Sequence, residues 1–135
     1  MEIITRHDPQ GLLEFKALAH NEWGGDVTFP SDETLTPILA RQEGPIIGGL
    51  SYIHYPHPKR DEIALWINTV LVIPEWRKQG IGSTLIKTAM HNQAPSSELF
   101  VYTEIPSLYL QLDWKLVSTS KENHILMHQT TDNTK

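Results

Sequence analysis

The sequence predicts an α/β protein in which a mixed, mostly antiparallel sheet is flanked by helices. Three observations support this fold class. Hydrophobic residues make up 39% of the 135 residues, enough to build a core without a metal or a disulfide. Strand-like runs outnumber helical patterns. Their order along the chain is β-α-(α)-β-β-β-α-β-α-β-β, which is not a regular βαβ repeat.

The N-terminal part predicts a strand followed by a helix. Residues 2–5 alternate between apolar and polar, and Asp8 and Pro9 supply an N-cap and a first-turn proline for a helix. Four apolar side chains then share one helical face: Leu12, Phe15, Ala19 and Trp23. The glycines and proline after this helix predict a loop, and residues 31–34 could start only a brief second helix.

The middle of the chain changes to strand periodicity. Residues 38–42 and 46–55 flank a Glu43-Gly44 turn and read as a hairpin. Residues 62–73 form an apolar run dense enough for a central strand, and Pro74 ends it. Because this run is about half the length that spans a bilayer, we expect no membrane span.

The C-terminal part alternates helix and strand. Apolar residues at helical spacing predict an amphipathic helix from about residue 81 to Asn92, and residues 99–103 predict a strand. A proline opens a short helix at residues 106–112. Residues 116–118 and 124–127 then indicate a closing hairpin.

Composition excludes several function classes. The chain has 11 basic and 16 acidic side chains, a formal charge of −5, and lacks the broad positive stripe that nucleic-acid binding requires. It has no cysteine, which removes disulfides, a thiol nucleophile and thiolate metal sites. With no basic and apolar leader at the N-terminus, we expect one cytoplasmic domain over residues 1–135.

Residues 71–83 carry the most chemical information. A buried strand runs through a turn containing Gly80 and Gly82 into an amphipathic helix. Glycines let a ligand approach the backbone, and the free N–H groups of the first helical turn favour an anion such as a phosphate or pyrophosphate. The alternative is a tight structural connection. The turn lacks the Lys-Ser/Thr pair of a phosphate-binding loop and the third glycine of a dinucleotide fingerprint.

The segment Arg77-Lys78-Gln79-Gly80-Ile81-Gly82 resembles the acetyl-coenzyme A loop of the GNAT superfamily of N-acetyltransferases, whose pattern is Gln/Arg-x-x-Gly-x-Gly/Ala. Two flanking segments add to the resemblance. Residues 46–50 are similar to the family's preceding strand, and residues 108–114 are similar to its tyrosine-bearing segment near the C-terminus. The three segments together cover roughly residues 38–128.

The resemblance implies acetyl-coenzyme A as co-substrate and no metal. Its pantetheine arm would lie in a gap between residues 70–73 and 100–103, with a backbone N–H near Val72 facing the thioester carbonyl. Its pyrophosphate would rest on the backbone of residues 79–83. The implied cofactor residues are Leu71, Val72, Ile73, Arg77, Lys78, Gln79, Gly80, Ile81, Gly82 and Ser83.

For catalysis, the resemblance assigns Tyr109 as the acid that protonates the departing thiolate, although core packing would also account for it. Asp113 replaces a family glycine just past this helix, at a position that favours a left-handed backbone, so we expect the helix to end differently from that of the family. The base is not evident, because Trp66 stands where some members place a glutamate. Glu104 is a candidate, and a water chain is the alternative.

The acceptor would be a primary amine of a small molecule, and protein N-termini or lysines are the alternative acceptors. Glu22, Trp23 and Asp26 could bind it by charge and an apolar ledge, and the negative net charge is compatible with a polyamine. A solvated loop is the alternative reading of these residues. Small members of the family pair through their sheets, so the resemblance also implies a homodimer. We expect no metal site at the histidines, because the pair His54/His57 lies on a proline-containing turn and the pair His124/His128 has no third ligand nearby.

Two other functions stay open at this level. A non-catalytic acyl-coenzyme A sensor with the same fold is favoured by Asp113 and by the missing strand carboxylate. A purely structural α/β domain would bind no coenzyme A at all.

Overall fold

The computed structural model describes residues 1–24, 35–92 and 98–129. Within them the predicted order of elements is confirmed, while the brief helix expected at residues 31–34 lies outside the described residues. A short 3-10 helix at Pro74–Trp76 follows the fourth strand. The elements are β1 (Glu2–Ile4), α1 (Pro9–Trp23), β2 (Ile38–Arg41), β3 (Ile46–Pro56), β4 (Ile63–Val72), α2 (Ile81–Asn92), β5 (Glu98–Thr103), α3 (Pro106–Leu110), β6 (Lys115–Ser120) and β7 (Asn123–Gln129).

Helix α1 begins and ends as its sequence predicts. The Asp8 carboxylate accepts a 2.9 Å hydrogen bond from the Gly11 backbone N–H, and Pro9 opens the first turn. Gly24 ends the helix in the left-handed conformation, with φ of 66°, and its N–H bonds to the His20 carbonyl. Both ends of the helix therefore satisfy backbone groups that the helix itself leaves unpaired.

The seven strands form one sheet in the order β1-β2-β3-β4-β5-β7-β6. Every neighbouring pair is antiparallel except β4 and β5, which run parallel. The sheet is therefore mixed and mostly antiparallel, as expected. The register of β4 and β5 includes just two pairs of residues, Leu65 with Leu99 and Trp66 with Phe100.

A separate layer of side chains covers each face of the sheet. On one face Phe15 and Ala19 of α1 pack with residues of β1 to β4. On the other face α2 and Tyr109 of α3 pack in a larger cluster. Gly49 faces α1 without a side chain, because a Cβ there would lie 2.9 Å from the Phe15 ring.

Gly48 allows β3 to approach β4 closely. A Cβ on Gly48 would lie 2.5 Å from the carbonyl oxygen of Leu71. Relieving this clash would require the backbone of β4 to move. The glycine pair in β3 is thus explained by packing on each side of the strand. In the described ranges, no helix has the length and apolar character needed to cross a membrane.

Candidate active site

Strands β4 and β5 separate after their two paired positions and leave a gap in the middle of the sheet. A cavity of about 220 Å³, here called the inter-strand cavity, occupies this gap. It is lined by β4, β5, α3 and the turn before α3. The lining residues are Ile67, Asn68, Val70, Val101, Tyr102, Thr103, Ile105, Leu108 and Tyr109.

The backbone of β4 turns two N–H groups toward this gap. The Ile73 N–H bonds to the Ile47 carbonyl at 2.9 Å, so Gly48 and Val72 form a pair that exchanges no hydrogen bonds. In an antiparallel ladder such pairs alternate with bonded ones. The N–H groups of Val72 and Val70 therefore point away from β3, toward the side where β5 has diverged.

Asn68 is an extra residue in β4. The register pairs Ser51 with Thr69 and Tyr52 with Ile67, so Asn68 has no opposite residue and forms a β-bulge. Bulges redirect side chains and commonly lie beside functional sites. Here the bulged residue lines the gap, a placement that no glycine or proline signals in the sequence.

The N-terminus of α2 has the open backbone expected of an anion site. The first helical hydrogen bond runs from the Thr84 N–H to the Gly80 carbonyl at 3.0 Å, which leaves the N–H groups of residues 81–83 without helical acceptors. The turn before it contains two left-handed residues, Lys78 and Gly80, with φ of 65° and 82°. A Cβ on Gly82 would meet no atom of the described residues within 4 Å.

Arg77 joins this turn to two other elements. Its Nε donates to the Val72 carbonyl at 2.7 Å, and its guanidinium pairs with the Glu22 carboxylate at 2.9 Å. Both side chains are partly exposed. A residue expected at the cofactor phosphate and a residue expected at the amine are thus paired with each other.

The other residues expected at the amine are less informative. Trp23 is 52% exposed at the end of α1. Asp26 lies outside the described residues. Of the residues expected on the phosphate loop, Lys78 and Gln79 are exposed.

Tyr109 lies on α3, with 4% of its surface exposed, and lines the inter-strand cavity. Its ring meets Trp114 edge to face, with centroids 5.1 Å apart. Burial raises the pKa of the Tyr109 hydroxyl to about 12. The hydroxyl therefore keeps its proton at neutral pH and is chemically able to donate it.

The turn that follows Tyr109 is closed by backbone bonds. The Tyr109 carbonyl accepts from the N–H groups of Leu112 and Trp114, at 2.9 and 3.1 Å. Asp113 adopts the left-handed conformation with φ of 68°. The aspartate thus takes the backbone geometry expected at this position, and α3 ends at Leu110, earlier than predicted.

Glu104, the candidate base, lies between two residues that line the inter-strand cavity. Thr103 and Ile105 contribute to the cavity wall, whereas Glu104 is exposed and is not among the lining residues. The Glu104 carboxylate therefore does not line the cavity and would not contact a molecule bound there directly.

A second cavity, of about 570 Å³, lies beside the first and is here called the aromatic groove. Ile53 and Tyr55 share the α1 face of β3 with Gly49, because alternate strand residues point the same way. The groove therefore opens on the face of the sheet that carries α1. The larger core cluster formed with α2 on the other face, here called the α2 cluster, borders the inter-strand cavity. The residues lining the groove are Ile53, Tyr55, Trp66, Ile67, Asn68, Tyr102 and Ile125. Three residues line both cavities: Ile67, Asn68 and Tyr102.

A third cluster brings His57 together with Glu62 and Glu98. The Nδ1 of His57 accepts backbone N–H bonds from Lys59 and Arg60, so in the neutral ring the proton is on Nε2, 3.3 Å from Glu98. Arg60 bridges both carboxylates, at 3.0 and 2.6 Å. Both histidine nitrogens and both carboxylates already have partners, which makes the cluster a poor cation site.

The comparisons with known proteins agree with this geometry. The profile of the family described as "Acetyltransferase (GNAT) family" matches residues 5–105. No curated protein matches the sequence significantly.

Solved structures with the same fold come from several organisms. PH1933 from Pyrococcus horikoshii OT3 aligns with a TM-score of 0.71 at 16% identity, covering 97% of this chain and 99% of that one. Arabidopsis thaliana NAA60 in complex with acetyl-CoA aligns with a TM-score of 0.66 at 14% identity, covering 95% and 99%. Arabidopsis thaliana Naa50 in complex with the bisubstrate analogue CoA-Ac-MVNAL gives 0.66 at 14%, covering 94% and 97%.

Proposed function

The chain belongs to the acetyltransferase (GNAT) family, and on that basis we propose that it transfers an acetyl group from acetyl-coenzyme A to a primary amine of a small molecule. The observation that carries the proposal is the gap between β4 and β5. It presents backbone N–H groups on one side and the buried Tyr109 on the other. Two solved neighbours are complexes with acetyl-CoA or a CoA-containing bisubstrate analogue, which supports the choice of co-substrate.

The residues present fit a coenzyme A molecule. The N–H groups of residues 81–83, which have no helical acceptors, and the open space above Gly82 suit a pyrophosphate, with Lys78 adding positive charge. The outward N–H groups of Val70 and Val72 suit the amide-bearing pantetheine arm. Leu71 and Ile73, expected among the cofactor residues, bond instead toward β3, and this alternation turns the N–H groups of Val70 and Val72 toward the gap.

Acetyl-coenzyme A supplies an acetyl thioester. The amine nitrogen forms a bond to the acetyl carbon while the carbon–sulfur bond breaks, in one ternary complex. An outward N–H of β4, that of Val72 or of Val70, stabilises the negative charge that develops on the acetyl oxygen, and Val70 lines the inter-strand cavity together with Tyr109. Tyr109 gives its proton to the departing sulfur, and the amine releases a proton to balance it.

The proton released by the amine needs an acceptor. We propose Glu104 in this role, acting through solvent, because its exposed carboxylate adjoins two residues of the cavity wall. Water reaching Asn68 through the aromatic groove is the alternative route. For Glu22, Trp23 and Asp26, contact with the amine stays a prediction from the sequence, and the Glu22 carboxylate is already paired with Arg77.

The non-catalytic sensor hypothesis loses one of its two supports. It drew on the aspartate that replaces a glycine after α3, yet Asp113 adopts the left-handed geometry that a glycine would adopt. Tyr109 consequently remains on the wall of the cavity. We propose further that residues 1–135 act as one cytoplasmic domain, and that two copies pair as the family resemblance implies.

Calorimetric titration with acetyl-coenzyme A, coenzyme A and NAD tests the proposal. We expect saturable binding of both coenzyme A species and none of NAD. Gly82→Trp should abolish binding without unfolding the chain, because its side chain would fill open space. Lys87→Trp, on an exposed position of the same helix, is the matched control and should bind normally.

Absence of binding at millimolar acetyl-coenzyme A would overturn the proposal. Once binding is established, release of free thiol in the presence of small amines measures turnover. If a peptide acceptor gave faster thiol release than every small amine, the small-molecule acceptor would be contradicted and the acetyltransferase activity would stand.

A further inference from the structure

The aromatic groove has a rigid inner wall. Trp66 is 6% exposed, and its indole N–H donates to the Tyr55 carbonyl at 3.2 Å. Its ring lies 5.2 Å from Phe100, and the Tyr55 ring meets it edge to face at 5.9 Å. Phe100 in turn packs against His57 at 4.8 Å. This wall is preorganised, so a ligand would not have to order it on binding.

The outer part of the groove exposes aromatic surface. Tyr55 and Tyr102 are each 59% exposed and belong to different strands, β3 and β5. Ile53 and Ile125 add aliphatic surface. A concave, mostly apolar cavity of several hundred Å³ with few polar groups is the usual form of a small-molecule site.

The groove offers no charge to a ligand. Among the described residues that line it there is no Asp, Glu, Lys or Arg, and Asn68 is the one side chain bearing an amide. The nearby carboxylates of Glu62 and Glu98 are bound by Arg60, and Glu22 is bound by Arg77. A ligand with a second ammonium group would therefore lose hydration here without gaining a charged partner from these residues.

We propose that the acceptor amine is carried on an aromatic or branched aliphatic group, which packs between Tyr55 and Tyr102 against Trp66. The amine then lies near Asn68, where the aromatic groove meets the inter-strand cavity. This proposal rests on the proposed acetyltransferase function and specifies its substrate class. It replaces the polyamine acceptor that the net charge of the chain suggested. The acceptor contacts the surface of the groove, so the charge of that surface matters more than the net charge.

Thiol release with a panel of amines tests the substrate class. The panel contains 2-phenylethylamine and isoamylamine as apolar acceptors, and ethanolamine and spermidine as polar ones. We expect kcat/KM for 2-phenylethylamine to exceed that for ethanolamine roughly tenfold to a hundredfold, since its ring is buried in the groove. Spermidine should be used no better than ethanolamine.

Variants of Tyr55 locate the effect, because this residue lines the groove and not the inter-strand cavity. Tyr55→Ala should raise KM for 2-phenylethylamine about tenfold and leave that for ethanolamine nearly unchanged. Tyr55→Glu should shift the preference toward spermidine by adding a carboxylate. Leu116→Ala, which shortens an apolar side chain 53% exposed on β6, is the control and should change neither KM.

The outcomes separate this inference from the function on which it rests. Thiol release that is fastest with spermidine, or equal for polar and apolar amines, would overturn the substrate class while supporting the acetyltransferase. If acetyl-coenzyme A binds but none of the amines causes thiol release, both the substrate class and the acetyltransferase function would be overturned.

Discussion

Burial raises the pKa of Tyr109 and of Tyr52 to about 12, yet of these two tyrosines it is Tyr109 that lines the inter-strand cavity. Both hydroxyls are fully protonated at neutral pH. What distinguishes Tyr109 is therefore its position and not its acidity. At the residue scale, a proton donor is identified by what its hydroxyl can reach.

Tyr109→Phe removes the proposed proton donor while keeping the ring that packs on Trp114. We expect kcat to fall roughly a hundredfold or more, with little change in acetyl-coenzyme A affinity. Thiol-release kinetics and calorimetry measure the two quantities. Since the pKa of Tyr109 is about 12, its hydroxyl should cause no loss of rate as pH rises from 7 to about 10.

Tyr52→Phe is the matched control for this prediction. It removes a hydroxyl from a tyrosine that is 8% exposed in the same core cluster. An equal loss of kcat in the two variants would assign the effect to packing and contradict the role of Tyr109.

Residue identity predicted some of these features and missed others. The left-handed geometry at Asp113 follows from its position after a helix, and the structure confirms it. The bulge at Asn68 carries no local signal, because it arises from the register between β3 and β4. The pairing of Arg77 with Glu22 is likewise absent from any sequence pattern, since 55 residues separate them.

At the scale of elements, this ion pair connects the end of α1 to the turn before α2. Arg77 also bonds to the Val72 carbonyl, on the edge of β4 that faces the gap. The guanidinium is therefore held by α1 and β4 and is not free for an anion. Access of Arg77 to a phosphate group depends on release from Glu22.

Glu22→Gln should free Arg77 and tighten acetyl-coenzyme A binding. Because the pair is partly exposed, with side chains 31% and 44% accessible, we expect a decrease in Kd of only about two- to fivefold. Calorimetry in low salt measures the change. Glu2→Gln controls for the loss of one negative charge, because Glu2 pairs with Arg6 instead.

An equal decrease in Kd for the Glu2→Gln protein would show a general charge effect. In that case, or if Glu22→Gln left Kd unchanged, the ion pair would have no part in cofactor binding.

At the scale of the molecule, the sheet separates two cavities and joins them at one point. The α2 cluster borders the inter-strand cavity, and the aromatic groove opens on the face that carries α1. They share residues where β4 and β5 diverge. A nucleotide-bearing co-substrate and an amine can therefore approach one reacting atom from opposite faces without competing for space.

The free energy of unfolding of the whole chain should decrease in acid as Asp8 becomes protonated. The backbone N–H of Gly11 and the nearby Arg41 lower the pKa of this carboxyl below its usual 3.8, so the charged form stabilises the fold. A lowered folded pKa means that this stabilisation is complete above the unfolded value and is lost as pH falls through the folded one.

Asp8→Asn tests this linkage, because asparagine keeps the helix cap and loses the charge. We expect the wild-type Tm to exceed that of the variant at about pH 5, and the difference to shrink toward about pH 2. Thermal unfolding followed by circular dichroism measures both. A difference in Tm that stays constant across this range would contradict the prediction.

The sequence by itself determined the order of strands and helices, the ends of α1, the glycine-bearing turn at residues 77–82 and the family. These features depend on local periodicity, caps and turn residues, which neighbouring positions encode. Only the tertiary structure decided where β4 and β5 part, that Arg77 pairs with Glu22, and that Tyr55, Trp66, Tyr102 and Ile125 form one groove. Strand pairing brings these residues together from β3, β4, β5 and β7, and no local pattern in the sequence encodes contacts at such separations.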